Sequence, residues 1–355
     1  MNDFKDFSVS REEWQLKTSY PAKRPLMTIL KIVFALIILT CGGSTYYWVR
    51  EWGEFSKDAL RLTIKDQTSS LNKKELQYFL QIAHTLRKDD LIQKLYHQLL
   101  DLDPENSETL INMARFYSQH EQYEYALPFY EGYQKKNIMT ADVCFFYGKA
   151  LSAVGKDEEA LHWHYKSMEM SDRYIDNFEE LLKLLLKINK PYEGLSLIHY
   201  YNTKYPHYVT YLGAYKVQFS EMAFKIGNQQ SFRVPELNKH YHIAVKFSLL
   251  KEPVMYLVDT GASVLTIPRE LYNKKIDSAL PTGQKVALEN ADKVRKMADR
   301  IFLSEIKIGS IVLKHVEAVI CDNCSLLLGQ SVLNRMQIST DHQDGKNFLI
   351  VKSVQ

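Results

Sequence analysis

Tyr256-Leu257-Val258-Asp259-Thr260-Gly261-Ala262-Ser263 runs from an apolar strand into a tight turn that holds a carboxylate. Apolar residues resume at Val264, Leu265 and Ile267. A buried strand thus delivers one Asp to a loop, and Gly261 lets the backbone make the turn. Thr260 and Ser263 bring hydroxyls beside that carboxylate. Asp-x-Gly by itself is ordinary turn chemistry, so the flanks carry the weight. Farther along, Ser325-Leu326-Leu327-Leu328-Gly329-Gln330-Ser331-Val332-Leu333 is an apolar run that ends in Gly and opens a short helix.

The pair of motifs resembles the retropepsin-like aspartic proteases, in particular the bacterial single-lobe, membrane-anchored group. The resemblance covers about residues 238–355. It implies an all-β acid-protease lobe that hydrolyses peptide or protein substrates without a cofactor. Hydrolysis of an unactivated amide needs a general base for water and a general acid for the product side. Two carboxylates sharing one proton supply both, because like charges held close cannot both ionise. This chain has one Asp-Thr-Gly; Asp322, Asp341 and Asp344 lack its flanks. A homodimer that pairs Asp259 with its copy across a two-fold axis is therefore implied.

The same resemblance gives the neighbours their roles. Asp259 is catalytic, and Thr260, Gly261, Ala262 and Ser263 form its loop. Thr260 would brace the partner loop, Gly261 would turn beneath the dyad, and Ser263 would bond the outer carboxylate oxygen. Leu327, Leu328 and Gly329 would pack behind the loop. The flap corresponds to Ala287-Leu288-Glu289-Asn290-Ala291-Asp292. Asn290 tolerates a left-handed turn, but the Gly of the bacterial group is missing, which implies a stiffer or differently shaped flap.

Around these motifs the chain from His240 onward alternates as strands do. His242–Phe247, Val254–Val258, Val264–Ile267, Lys285–Glu289, Ile301–Ile308, Ile311–Leu313, Glu317–Ile320 and Phe348–Val351 are expected strands, with a helical turn at Arg269–Tyr272. Many short strands with frequent turns indicate a small barrel-like lobe.

Upstream, residues 73–226 repeat. Starts at 73, 107, 141 and 175 give a 34-residue period. Leu80, Ala114, Gly148 and Leu182 share one position; Ile92, Ala126, Ala160 and Gly194 share another; Pro104 and Pro206 lie three periods apart. Small residues let helices approach and the Pro ends the second helix. The pattern is similar to a tetratricopeptide array, which implies a concave surface for a peptide or protein partner. Its rival is a plain spacer. Residues 209–225 read as a capping helix and 227–237 as a linker.

Residues 1–24 read as a cytoplasmic tail. Residues 25–49 read as a transmembrane helix: Ile32 to Val49 is 18 residues without a charge, about the length that spans a bilayer. Tyr46, Tyr47 and Trp48 suit the far interface, and Lys17, Lys23, Arg24 and Lys31 place the N-terminus inside. Residues 50–72 are juxtamembrane. The expected location is a bacterial inner membrane, with the C-terminal domains periplasmic. A net charge of +3 gives no electrostatic case for nucleic acid.

No metal is assigned. Cys321-Asp322-Asn323-Cys324 has ligand spacing but no second pair nearby; a local disulfide and a reduced pair both fit. His162-Trp163-His164 and His240-Tyr241-His242 are i, i+2 pairs, which point apart on a helix. A second functional reading stays open: a non-catalytic, membrane-tethered tetratricopeptide scaffold with a degenerate protease-like lobe.

Overall fold

A computed structural model of the chain describes residues 56–66, 70–171, 175–225, 231–274, 276–277, 281–289, 295–343 and 345–354. Two compact units divide the chain, residues 1–109 and 110–355. The segment expected to cross the membrane, 25–49, lies outside the described residues. Among the described residues no helix is long and apolar enough to cross a membrane.

In the first unit, α1 covers residues 56–66, α2 covers Lys73–Leu86 and α3 covers Asp89–Leu102. Asn72 caps α2: its Oδ1 accepts from the Glu75 amide at 3.1 Å, while Glu75 Oε2 accepts from the Asn72 amide at 3.0 Å. That reciprocal pair satisfies two orphan donors and starts the helix. Leu76, Phe79, Ile82 and Ala83 of α2, with Ile92, Leu95, Tyr96 and Leu99 of α3, are the buried residues of the pair.

The helices continue as α4 (Ser107–Gln119), α5 (Tyr123–Gln134), α6 (Ala141–Ala153), α7 (Asp157–Met170), α8 (Ile175–Lys187), α9 (Pro191–Lys204) and α10 (Val209–Lys225). Helices α2, α4, α6 and α8 begin at 73, 107, 141 and 175, and α3, α5, α7 and α9 at 89, 123, 157 and 191. Both series keep the 34-residue period of the sequence. The small residues act where the helices close. A Cβ on Gly148 would stand 3.1 Å from the His164 ring, and one on Gly194 would stand 2.4 Å from the Phe219 ring. Pro191 begins α9, where its missing N–H costs nothing.

Strands then take over: β1 (Ser231–Pro235), β2 (His242–Phe247), β3 (Val254–Val258), β4 (Leu265–Pro268), β5 (Lys285–Glu289), β6 (Arg295–Ile308), β7 (Ile311–Cys321), β8 (Leu327–Leu328), β9 (Met336–Gln343) and β10 (Lys346–Ser353). Two short helices interrupt them, α11 (Arg269–Tyr272) and α12 (Gln330–Leu333). One sheet has the order β4-β7-β6-β2-β3-β8, with β5 paired to β6; the other has the order β1-β10-β9. The β-lobe begins earlier than the alternation at His240 suggests. Ser231–Pro235, assigned to a linker from sequence, pairs antiparallel with Phe348–Lys352. Strand β9 also escaped the pattern, since all its residues after Met336 are exposed and no alternation survives.

Within residues 110–355 the repeats and the lobe share a packed joint. The Tyr192 ring stacks on Phe232 with centroids 3.9 Å apart, and its hydroxyl donates to the Ala223 carbonyl at 2.8 Å. Ser196 Oγ donates to the His242 carbonyl at 2.7 Å. Glu193, 1% exposed, accepts from Arg233 Nε at 2.6 Å and from the Tyr165 hydroxyl at 2.9 Å. Burial, with the Glu193 charge, holds the Tyr165 phenol well above its usual range. Gly309 adopts φ +64°, and a Cβ there would stand 2.7 Å from the Tyr192 hydroxyl, so both conformation and space favour glycine.

Candidate active site

Asp259 leaves β3 at the point where the strand turns. Leu257 and Val258 pair in parallel with Leu327 and Leu328 of β8. The ladder extends by one bond, from the Asp259 amide to the Leu328 carbonyl at 3.2 Å. Asp259 Oδ1 accepts from the Gly261 amide at 2.9 Å, which folds the carboxylate over its own turn. The side chain is half-buried, while Thr260, Gly261 and Ser263 are exposed. A rigid strand thus presents one carboxylate at a solvent-facing loop.

The loop is clamped from behind by the start of α12. The Gln330 amide donates to the Ala262 carbonyl at 2.8 Å, and the Ser331 amide to the Ser263 carbonyl at 3.0 Å. Gln330 Nε2 donates to the Thr260 carbonyl at 2.9 Å. Ser331 Oγ accepts from the Leu265 amide at 3.0 Å and donates to the Glu317 carbonyl at 2.8 Å. Thr266 does similar work for β8: it donates to the Ser325 carbonyl at 2.6 Å and accepts from the Leu327 amide at 2.8 Å. These side chains satisfy backbone groups that no ladder reaches. Gln330, Ser331 and Thr266 were not singled out from sequence. Ser331 and Gln330 do follow Gly329 directly, and that was the available signal.

Gly329 is where the two segments touch. A Cβ there would stand 2.4 Å from the Val264 carbonyl oxygen and 2.6 Å from that of Ala262. Its φ of −95° is open to any residue, so contact with two backbone carbonyls is what demands glycine. Gly329→Ala should therefore cost about 1–3 kcal/mol and shift the Asp259 loop. Chemical denaturation, with amide exchange at Gly261 and Ala262 as local readout, checks this.

The remaining predicted residues divide. Leu327 and Leu328 form β8, and Leu328 is fully buried behind the loop. Ala262 and Ser263 contribute their carbonyls to the α12 clamp. Leu288 lies in β5 and, with Val286, Val264 and Cys324, packs on the buried Ala298, Val319 and Cys321. Glu289 ends β5, and Asn290 lies outside the described residues. The base of the expected flap and Val264, at the end of the Asp259 loop, therefore share one apolar cluster. Arg269 adds an ionic tie that sequence reading missed, reaching Asp322 at 2.6 Å and Asp299 at 2.9 Å.

Cys321 and Cys324 are joined in a disulfide. It closes a turn in which Asn323 takes φ +51°, a conformation Asn tolerates. The closed loop is short, so the bond should contribute about 2 kcal/mol through the unfolded chain. Replacing both cysteines by Ser should lower stability by that amount, and a reductant should have no effect on the doubly substituted chain.

Strand β3, the Asp-Thr-Gly turn and the glycine-backed clamp make the C-terminal lobe retropepsin-like, beside a tetratricopeptide-like array. Residues 245–335 match the model of the family described as "gag-polyprotein putative aspartyl protease". No curated protein matches the chain. Solved structures similar to it include a retropepsin-like aspartic protease from Rickettsia conorii, at 22% identity, covering 35% of this chain and 99% of that one, TM-score 0.28. The tetratricopeptide protein YrrB, described as having an unusual peptide-binding site, is 15% identical, with 45% and 83% covered and TM-score 0.38. The MamA protein is 14% identical, with 41% and 80% covered and TM-score 0.38.

Proposed function

We propose that this chain is a membrane-anchored aspartic endopeptidase active as a homodimer. The observation that carries the reading is the Asp259 turn, a half-buried carboxylate held by the Gly261 amide and backed by Gly329. One lobe supplies one Asp, and a second copy on a two-fold axis supplies the other. Water held between them loses a proton to the ionised carboxylate and attacks the peptide carbonyl. The protonated partner donates to the carbonyl oxygen. The proton taken from water then passes to the leaving nitrogen. In this reading Thr260 braces its copy across the axis, Ser263 bonds the outer carboxylate oxygen once the dimer forms, and the segment around Leu288, Glu289 and Asn290 covers the substrate.

The repeats recruit substrate or a protein partner. Residues 25–49 anchor the chain in a bacterial inner membrane, with the N-terminus cytoplasmic and both later modules periplasmic. The Cys321–Cys324 disulfide suits that oxidising compartment. Confinement to a membrane raises effective concentration and favours a weak dimer.

Dilution tests the dimer. Specific cleavage of a peptide library by the full chain in detergent should fall as protein is diluted through the dimer dissociation constant. Added Asp259→Asn chain should poison wild type by forming mixed dimers. Activity that is independent of concentration and resists poisoning would refute the shared site.

A further inference from the structure

The sequence reading set His240 and His242 aside because their spacing diverges on a helix. Only His242 lies in β2, at its first residue, while His240 forms an isolated bridge with Leu237 just before it. His199 of α9 joins them: the His199 and His242 ring centroids are 4.7 Å apart, and those of His240 and His242 are 6.5 Å apart. The three imidazoles line a cavity of ≈ 450 Å³ with Tyr200, Lys204 and Leu237. Among the described residues no acidic one lines it. His242 Nδ1 is buried there without a hydrogen-bond partner, a cost that a ligand would remove.

The charges around the cavity select the ligand. Lys204 sits at its lining, with Nζ 3.2 Å from the Tyr200 hydroxyl. Lys216 of α10 acts on His199 and pairs with Glu252 at 2.6 Å. Burial, reinforced by His199 and His240, pushes the His242 imidazole down to about 4, and burial with Lys216 lowers His199. Burial therefore disfavours the charged form of both rings. A cation entering the cavity would meet the Lys204 ammonium and, among the described lining residues, no carboxylate. Among the described residues no group of three His, Cys, Asp or Glu is arranged to hold a metal ion. An anion would instead draw protons onto the rings and gain charge-assisted bonds.

We propose that this cavity binds a carboxylate carried by a peptide. The volume is that of a small-ligand site, and Leu237 and the Tyr200 ring offer apolar surface beside the charged groups. Its position ties it to the candidate active site. The Tyr241 carbonyl accepts from the Val258 amide at 2.9 Å, and His242 pairs with Leu257, two residues before Asp259. The assignment of that peptide as a substrate segment rests on the protease reading; the binding itself does not.

Full chain carrying Asp259→Asn, which leaves the peptide uncut, provides the test by fluorescence anisotropy. One labelled apolar peptide is compared as C-terminal acid and C-terminal amide, and a second as an internal Glu and Gln pair. At pH 6 one acidic member should bind at least about ten-fold tighter than its neutral twin. The pair that responds identifies a terminal or a side-chain carboxylate. The advantage should shrink toward pH 8, since binding takes up protons. His240→Gln and Lys204→Met, both at exposed positions, should each remove most of it. Equal binding of acid and neutral peptides, no pH dependence, or no effect of both variants would overturn the proposal. A wild-type dimer that binds the acid peptide but cuts nothing across a broad library would count against the protease reading and leave this site standing. Cleavage without carboxylate preference would do the reverse.

Discussion

Asp259→Asn should lower kcat for peptide cleavage by at least about 10²–10⁴-fold, the contribution expected of a general acid–base group. Asn keeps the size of Asp, and its amide oxygen can still accept from the Gly261 amide, so the turn and the β3–β8 ladder should persist. KM should change little, because the lost interaction belongs to the transition state. Unchanged unfolding with vanished turnover would identify Asp259 as a reacting group. Retained cleavage in the variant would exclude an Asp259 dyad. A wild-type dimer that cleaves nothing across a broad library would favour the scaffold reading, in which Asp259→Asn is silent.

Glu193→Ala should be the most damaging substitution outside the site. The carboxylate is almost wholly buried and holds both Arg233 and Tyr165. Its removal leaves Arg233, whose guanidinium lies 4.3 Å over the Phe348 ring, without its buried counter-charge. Breaking one side of a buried pair costs about 3–5 kcal/mol. For a unit of this size that corresponds to a fall in Tm of roughly 6–20 °C. Glu193→Gln should cost less, since its amide oxygen can still accept one bond. Calorimetry of both variants checks the order, and a loss below about 1 kcal/mol for Glu193→Ala would mean the joint is not held by this charge. The joint has a practical consequence. A fragment starting at Ser231 would leave Phe232 without Tyr192 and the His242 carbonyl without Ser196. Enzymology should therefore use chains that retain the helices.

The helical array was legible because its determinants are local. Ala126, Ala160 and Gly194 recur every 34 residues, Ala114 and Gly148 lie one such period apart, and at Gly148 and Gly194 a neighbouring ring closes on the helix. The Asp259 turn was legible for a similar reason: an apolar strand and a Gly turn are adjacent in sequence. The edge elements were not. Strand β1 has only two fully apolar side chains before its Pro, and its partner lies at the far end of the chain. Strand β9 is polar because almost all of it meets solvent. The approach of His199 to His240 and His242 left no local pattern, since it joins α9 to the bridge at His240 and the first residue of β2.

Sequence alone determined the 34-residue helical period, the carboxylate-bearing turn and the apolar-Gly run that answers it, since these rest on patterns within one segment. Tertiary structure decided what the segments do to one another. It brought Gly329 against the Ala262 and Val264 carbonyls, set Gln330 and Ser331 as the clamp, buried Glu193 between α7 and β1, and gathered His199 with His240 and His242. Each of these contacts joins residues distant in the chain. Its energy depends on burial and on carbonyls or charges left over by other elements, so no local pattern records it.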